Sequence, residues 1–204
     1  FLAQLLGLIT KHGILIVEFG NQLQRQGVDV RDAVIQSAVL RLRPKSKPQA
    51  IRHGFPWVFA DEAVMDRRSR AIPPGGFAIL EDAERVRLAL VTVNPNSKIV
   101  GRVMDANTDA RIDGAWLRAK LDRALQLRQR LYDTPFYRLV YAEADGLPGL
   151  VIDRFGDTAV IQPNAAWADR MIDDLAQALV DVTGVSTVVM NGSGRARGLE
   201  GLED

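Results

Sequence analysis

The run Glu143 to Asp157, EADGLPGLVIDRFGD, restricts the fold more than any other part of the chain. Gly146-Leu147-Pro148-Gly149 combines residues that accept a positive φ with one that fixes φ near −65°, so the backbone must turn there. Leu150-Val151-Ile152 is a short β-branched run, and Gly156-Asp157 opens a second turn before Thr158 to Ile161. The spacing predicts helix or loop, tight turn, strand, turn. Taken from spacing alone, the element is an ordinary hairpin.

The rest of the pattern is built around similar pieces. Arg41-Leu42-Arg43, Phe77 to Leu80, Leu88 to Val93 and Ile99 to Met104 read as short strands, with a turn at Pro73 to Gly76. Gln49 to Gly54 is a short helical turn carrying Arg52. Such a cluster of short strands predicts a small β-barrel. Asp113 to Tyr132 is a helix that Asp113 can cap, with Leu117, Leu121, Ala124, Leu125 and Leu131 as its apolar side. Arg118, Lys120, Arg123, Arg128 and Arg130 cover its remaining surface and read as a solvated face. Phe136 to Glu143 is strand-like or extended. Ala165 to Val182 is a second helix, with Trp167, Met171, Leu175, Leu179 and Val182 on its apolar side, and Val185 to Met190 is a final strand. The fold class is therefore α+β: a small barrel over residues 40–110, then a small strand-helix-strand α/β domain over 111–190.

Length and composition agree with one large or two small domains of 204 residues. There is no cysteine, which excludes disulfides, thiolate metal sites and a cysteine nucleophile in this chain. The two histidines, His12 and His53, do not make a zinc pattern, and no metal is expected. Charge is uneven. Residues 1–38 carry three bases and three acids, residues 39–110 twelve and eight, and residues 111–204 eleven and fourteen. The middle third is the candidate surface for an anionic partner.

Residues 1–39 form a segment of a different kind. Phe1 to Gly20 is an apolar stretch of roughly 20 residues, about the length that spans a bilayer. It lacks the basic start and small-residue cleavage site of a secretory signal. Lys11, His12 and Glu18 interrupt it, and a soluble buried helix is the plain alternative. Asp29 is a plausible N-cap for a helix from Val30 to Leu40. Residues 7–44, GLITKHGILIVEFGNQLQRQGVDVRDAVIQSAVLRLRP, resemble a late membrane helix and cytoplasmic connection of resistance-nodulation-division efflux permeases. In that family the lysine matching Lys11 belongs to a proton relay. Membrane association is expected only through residues 1–20, and the first segment is expected to be a stray or misjoined piece with its junction near Leu40 to Pro44.

From Leu40 onward a second resemblance covers about 160 residues. EADGLPGLVIDRFGD resembles the signature of the large-subunit rRNA cytosine-5 methyltransferases, in the domain that precedes their catalytic domain. HGFPWVF, His53 to Phe59, resembles the HPWVF-type motif of the PUA domain at the start of those enzymes, and Asn94-Pro95-Asn96-Ser97-Lys98 is similar to its later loop. The resemblance implies a PUA-like barrel, a central α/β domain, rRNA as partner and a cytoplasmic location. It also implies S-adenosylmethionine as the full-length family's cofactor, with none held by this chain. The tail from Asn191, NGSGRARGLEGLED, misses a G-x-G-x-x-G nucleotide loop because Arg197 stands where glycine is required. It is similar instead to the family's link into the catalytic domain, with Arg195 and Glu200-Gly201-Leu202 at a recurrent spacing. Residues 191–204 are thus expected to begin a link to a catalytic domain that is not in the sequence, and the chain alone to be an inactive, RNA-binding fragment. The rival readings are a membrane-transport fragment, resting on Phe1 to Pro44, and a stand-alone RNA-binding adaptor.

The residues expected to contact RNA are Arg41, Arg43, Lys45, Lys47, Arg52 and Lys98. Arg and Lys in such a cluster neutralise phosphates and position RNA without reading sequence. The plainer alternative is a solvated strand edge, where lysine also discourages edge pairing. Trp57 could stack on an unpaired base, but its neighbours Phe55, Val58 and Phe59 favour core packing.

Overall fold

The computed structural model describes residues 38–202. The first unit is a six-stranded, nearly closed barrel in the order β2-β6-β5-β4-β1-β3. Its strands are β1 (Val39–Leu42), β2 (Trp57–Phe59), β3 (Ala63–Val64), β4 (Gly76–Glu81), β5 (Arg87–Val93) and β6 (Ile99–Asp105). β1 runs parallel to β4 and antiparallel to β3, and β2 runs antiparallel to β6. The short β2–β3 connection therefore brings the two ends of the sheet together. Period-2 patterning explains the inside: Leu40 and Leu42 are buried while Arg41 between them points outward. They meet Val58, Ala63, Ala78, Leu80, Val91, Val93 and Val100 in one apolar cluster.

Two small helices decorate the barrel, α1 (Pro48–Arg52) and α2 (Arg67–Arg70). Pro48 opens α1 with a pre-set φ. Asp66 caps α2, accepting from the Arg68 and Ser69 amides at 2.9 Å each. Those donors, the Ser69 amide foremost, hold the Asp66 carboxyl below the ordinary carboxylate range.

The second unit is a four-stranded sheet, β10-β9-β8-β7, made of β7 (Phe136–Tyr141), β8 (Leu150–Phe155), β9 (Thr158–Pro163) and β10 (Thr187–Met190). β7, β8 and β9 form an antiparallel meander, and β10 joins β9 in parallel. A crossover of two helices, α4 (Ala166–Arg170) and α5 (Ile172–Thr183), makes that parallel pairing possible. Helix α3 (Gly114–Leu131) precedes the sheet. Its N-cap is Asp113, which accepts from the Trp116 amide at 2.9 Å. α3 and α5 pack together over the sheet, and Leu117, Leu121, Leu139, Leu150, Ile152, Ile161, Trp167, Leu175 and Leu179 form the core.

The Glu143–Asp157 run takes the form its turn residues dictate. A 3-10 turn (Ala142–Asp145) ends at Gly146 with φ +69°, and Gly149 follows with φ +70°. A Cβ on Gly149 would lie 2.5 Å from the Cβ of Ala165, so the position needs glycine for space as well as for φ. Next to it, the fully buried Trp167 donates its indole N–H to the Pro148 carbonyl at 2.7 Å. The motif is thus the anchor of the α4 crossover.

Several expectations need correction. The segment Ala165 to Val182 is two helices, because Met171 leaves helical geometry at φ −107°, ψ 23°. The break lets Trp167 enter the core beside the hairpin turn while α5 lies along α3. The apolar stripe of α3 ends at Leu125, and Leu131, in the last turn, is 64% exposed. Val39 and Leu40, read as the end of a helix, belong to β1, where Val39 and Leu40 register with Ile79 and Leu80. Strands β2 and β3 and helix α2 were not foreseen, being two to four residues long. The apolar, permease-like segment before Ala38, including Lys11 and the Asp29 cap, lies outside the described residues. No helix among those described is long and apolar enough to cross a membrane.

Candidate nucleic-acid interface

Five of the six basic residues expected to meet RNA lie in or beside the β1–α1 segment. Arg43, Lys45 and Lys47 are exposed on its loop, and Arg52 closes α1. The loop is held rigidly: the Ser46 amide donates to the Arg43 carbonyl and the Ser46 hydroxyl to the Glu62 carbonyl. Arg43 donates its Nε–H to the Ala63 carbonyl at 2.9 Å, which orients the guanidinium along the barrel end. Lys98, on the β5–β6 loop, is exposed and joins this group through the backbone. Its carbonyl accepts from the Ala60 amide, and the Glu62 carbonyl two residues on accepts from the Arg43 amide.

Arg41 and Arg52 differ from the other four. Arg41 pairs with Glu81 at 3.3 Å, and Arg52 pairs with the nearly buried Asp82 at 3.0 Å. Both guanidiniums are therefore occupied at the acidic end of β4. The exposed rim comprises Arg43, Lys45, Lys47 and Lys98.

Trp57 is half-buried and packs edge-on between Phe55 and Phe59. Its indole N–H donates to Glu143 of the second unit at 2.8 Å. That bond introduces a polar cluster between the two units, whose roles the sequence did not reveal. Arg102 on β6 donates to Glu143 at 3.0 Å and to Glu200 at 2.9 Å. Glu200, with a side chain 4% exposed, also accepts from the Asn94 amide group at 2.9 Å and the Ser97 hydroxyl at 3.0 Å. The Asn94–Lys98 loop and the E-G-L tail are separate motifs in the sequence. Only the fold makes them partners.

The tail carries helix α6 (Arg195–Leu199). Buried Arg197 donates to the Pro163 carbonyl at 2.9 Å and to Asp169 at 2.7 Å, tying α6 to β9 and α4. The glycines before it pack rather than cradle: a Cβ on Gly194 would sit 2.8 Å from the Asn164 side-chain oxygen. Among the described residues no group of three or more His, Asp or Glu could hold a metal ion.

Asp105, at the end of β6, connects the barrel to α3. Burial alone would raise its pKa, but the Trp116 indole at 2.8 Å, the Asn107 amide at 3.0 Å and Lys120 at 3.6 Å outweigh it. The carboxyl therefore lies below its ordinary value of 3.8. A depressed folded-state pKa stabilises the fold above the unfolded value, and that contribution is lost as pH falls through the folded one. Trp116→Phe should raise the Asp105 pKa and shift the acid loss of stability to higher pH, within the range below about pH 4 to 5. Carboxyl NMR titration of both forms checks this, and an unchanged Asp105 titration would contradict it.

Comparison with known proteins bears on the barrel and on the unit that follows it. Residues 40–106 match the PUA-like domain family. The chain is 35% identical over 177 residues to a ribosomal RNA large subunit methyltransferase of Deinococcus radiodurans, covering 81% of this chain and 43% of that protein. It is 32% identical over 170 residues to ribosomal RNA large subunit methyltransferase I of Alteromonas mediterranea, covering 82% and 42%. Among solved structures, a proposed SAM-dependent methyltransferase from Streptococcus mutans shares the fold, with a TM-score of 0.62 at 14% identity over 75% of this chain and 40% of that one. The chain spans less than half the length of the curated relatives it matches. Residues 40–106 thus match a PUA-like domain, and the chain, with the α/β unit that follows, is similar to the rRNA large-subunit methyltransferases over that part of their length.

Proposed function

We propose that this chain docks ribosomal RNA as the RNA-binding portion of a large-subunit rRNA methyltransferase. In the full-length enzyme the reaction is methyl transfer from S-adenosylmethionine to C5 of a cytosine, and the residues described here hold the RNA rather than carry out that chemistry. The reading is carried by one observation: a PUA-like barrel presents Arg43, Lys45, Lys47 and Lys98 as exposed cations at one rim. Such contacts release counterions and fix register on the backbone without sequence preference. Arg41 and Arg52 support the rim by their pairs with Glu81 and Asp82.

With four phosphates neutralised, log affinity for an rRNA hairpin should fall with log salt at a slope of about −3 to −4. Lys45→Glu with Lys47→Glu should weaken binding to all hairpins alike and make that slope shallower by about 1.4 to 1.8. A salt-titrated gel shift measures both. Equal affinity of the two forms would show that the loop is a solvated edge.

A further inference from the structure

Glu143, which bonds the barrel through Trp57 and Arg102, also borders an open groove on the far side. The groove holds about 500 Å³ between α3 and the 3-10 turn, with Lys120, Arg123, Gln126, Leu127 and Arg130 along the helical wall. Arg123, Gln126, Leu127 and Arg130 follow i, i+3, i+4, i+7 spacing, so they share one face of α3. The opposite wall contributes two acids, Glu143 and Asp145. Neither pairs with Arg123 or Arg130. Asp145 accepts both guanidinium N–H groups of Arg128, at 2.6 and 2.7 Å, and the Tyr141 amide at 2.7 Å. Glu143 is shared by Trp57 and Arg102.

The bases are disposed otherwise. Lys120 has a long 3.6 Å pair with Asp105 and lies over the Trp116 ring. Arg123 and Arg130 are exposed and make no ion pair or side-chain hydrogen bond with any described residue. Two open guanidinium forks thus flank a half-exposed Leu127 in a groove whose acids are already satisfied. Guanidinium forks match phosphate oxygens in bidentate fashion.

We propose that this groove is a second RNA-backbone site, in which Arg123 and Arg130 each take a phosphate of the strand that the barrel rim has docked. The proposal rests on the RNA-binding reading above. The polar cluster around Arg102 fixes the groove relative to the barrel. An acidic protein segment is the competing occupant.

The test uses the full chain and a labelled large-subunit rRNA hairpin with a single-stranded oligouridine extension. Arg123→Glu with Arg130→Glu should lower affinity by about tenfold or more and make the salt slope shallower by about 1.4 to 1.8. Arg123→Gln with Arg130→Gln should give a smaller loss in the same direction, with an unchanged thermal transition. Combining either pair with Lys45→Glu and Lys47→Glu should lower affinity further than either pair alone. If the rim variants weaken binding and the groove variants do not, the groove proposal is overturned while the RNA reading stands. If the unmodified chain does not bind the hairpin, both fall. Loss of polyglutamate binding in the groove variants with RNA affinity intact would assign the groove to an acidic protein and likewise overturn the proposal.

Discussion

Arg102→Met is expected to lower folding stability by about 3 to 5 kcal/mol, the cost of leaving buried charges without their partner. Arg102 is 14% exposed and serves two carboxylates at once, Glu143 at 3.0 Å and Glu200 at 2.9 Å. Removing it leaves Glu200, 4% exposed, with only neutral donors from Asn94 and Ser97. For a domain of this size the midpoint of thermal unfolding should fall by roughly 10 °C. Arg102→Lys should give an intermediate loss, because one ammonium cannot reproduce a fork that reaches two acids. Urea unfolding of the three forms measures the effect. A change below about 0.5 kcal/mol for the methionine variant, within the range of ordinary surface substitutions, would show that the cluster is solvated in solution.

Gly149→Ala should be nearly as damaging, for a backbone reason. The position carries φ +70°, and the added Cβ would lie 2.5 Å from the Ala165 Cβ and 3.3 Å from its amide nitrogen. The left-handed conformation costs about 1 to 2 kcal/mol with a side chain, and the forced contact adds about 1 to 3 kcal/mol. Gly184 separates the two contributions. It has φ +69° with nothing within 4 Å of the site of a Cβ. Gly184→Ala should therefore show the conformational cost alone, about 1 to 2 kcal/mol. Equal losses at the two positions in denaturant titrations would mean that Ala165 moves aside freely and that the hairpin turn does not anchor the crossover.

The sequence disclosed what depends on local period and turn chemistry. The apolar runs of β4, β5 and β6, the Asp113 cap, the stripe Leu117-Leu121-Leu125 and the turn at Gly146 to Gly149 all follow from neighbours in the chain. The PUA-like match was legible in HGFPWVF, although its three-residue strand was too short to show a period. What sequence could not supply was pairing across distance. Arg41 and Arg52 looked like part of a uniform basic run until the fold set them against Glu81 and Asp82. Arg123 and Arg130 looked like any solvated helix face until the 3-10 turn placed its own satisfied acids opposite them. By sequence Trp57 suits either core packing or base stacking. It became a fastening, because Glu143 receives its indole N–H.

The Glu200 socket also orders events in time. Its donors Asn94, Ser97 and Arg102 precede it by 106, 103 and 98 residues, whereas β4, β5 and β6 meet through short hairpins. Closing a loop of about 100 residues costs roughly 2 kcal/mol more in chain entropy than closing one of about ten. On a ribosome that extends the chain from its first residue, the barrel and its empty socket emerge long before the glutamate that fills it. Until then Glu143 is the carboxylate partner that Arg102 can reach. The Glu200 arm of the clamp thus closes only once residue 200 has emerged, when Glu143 already offers the barrel its bonds to Trp57 and Arg102.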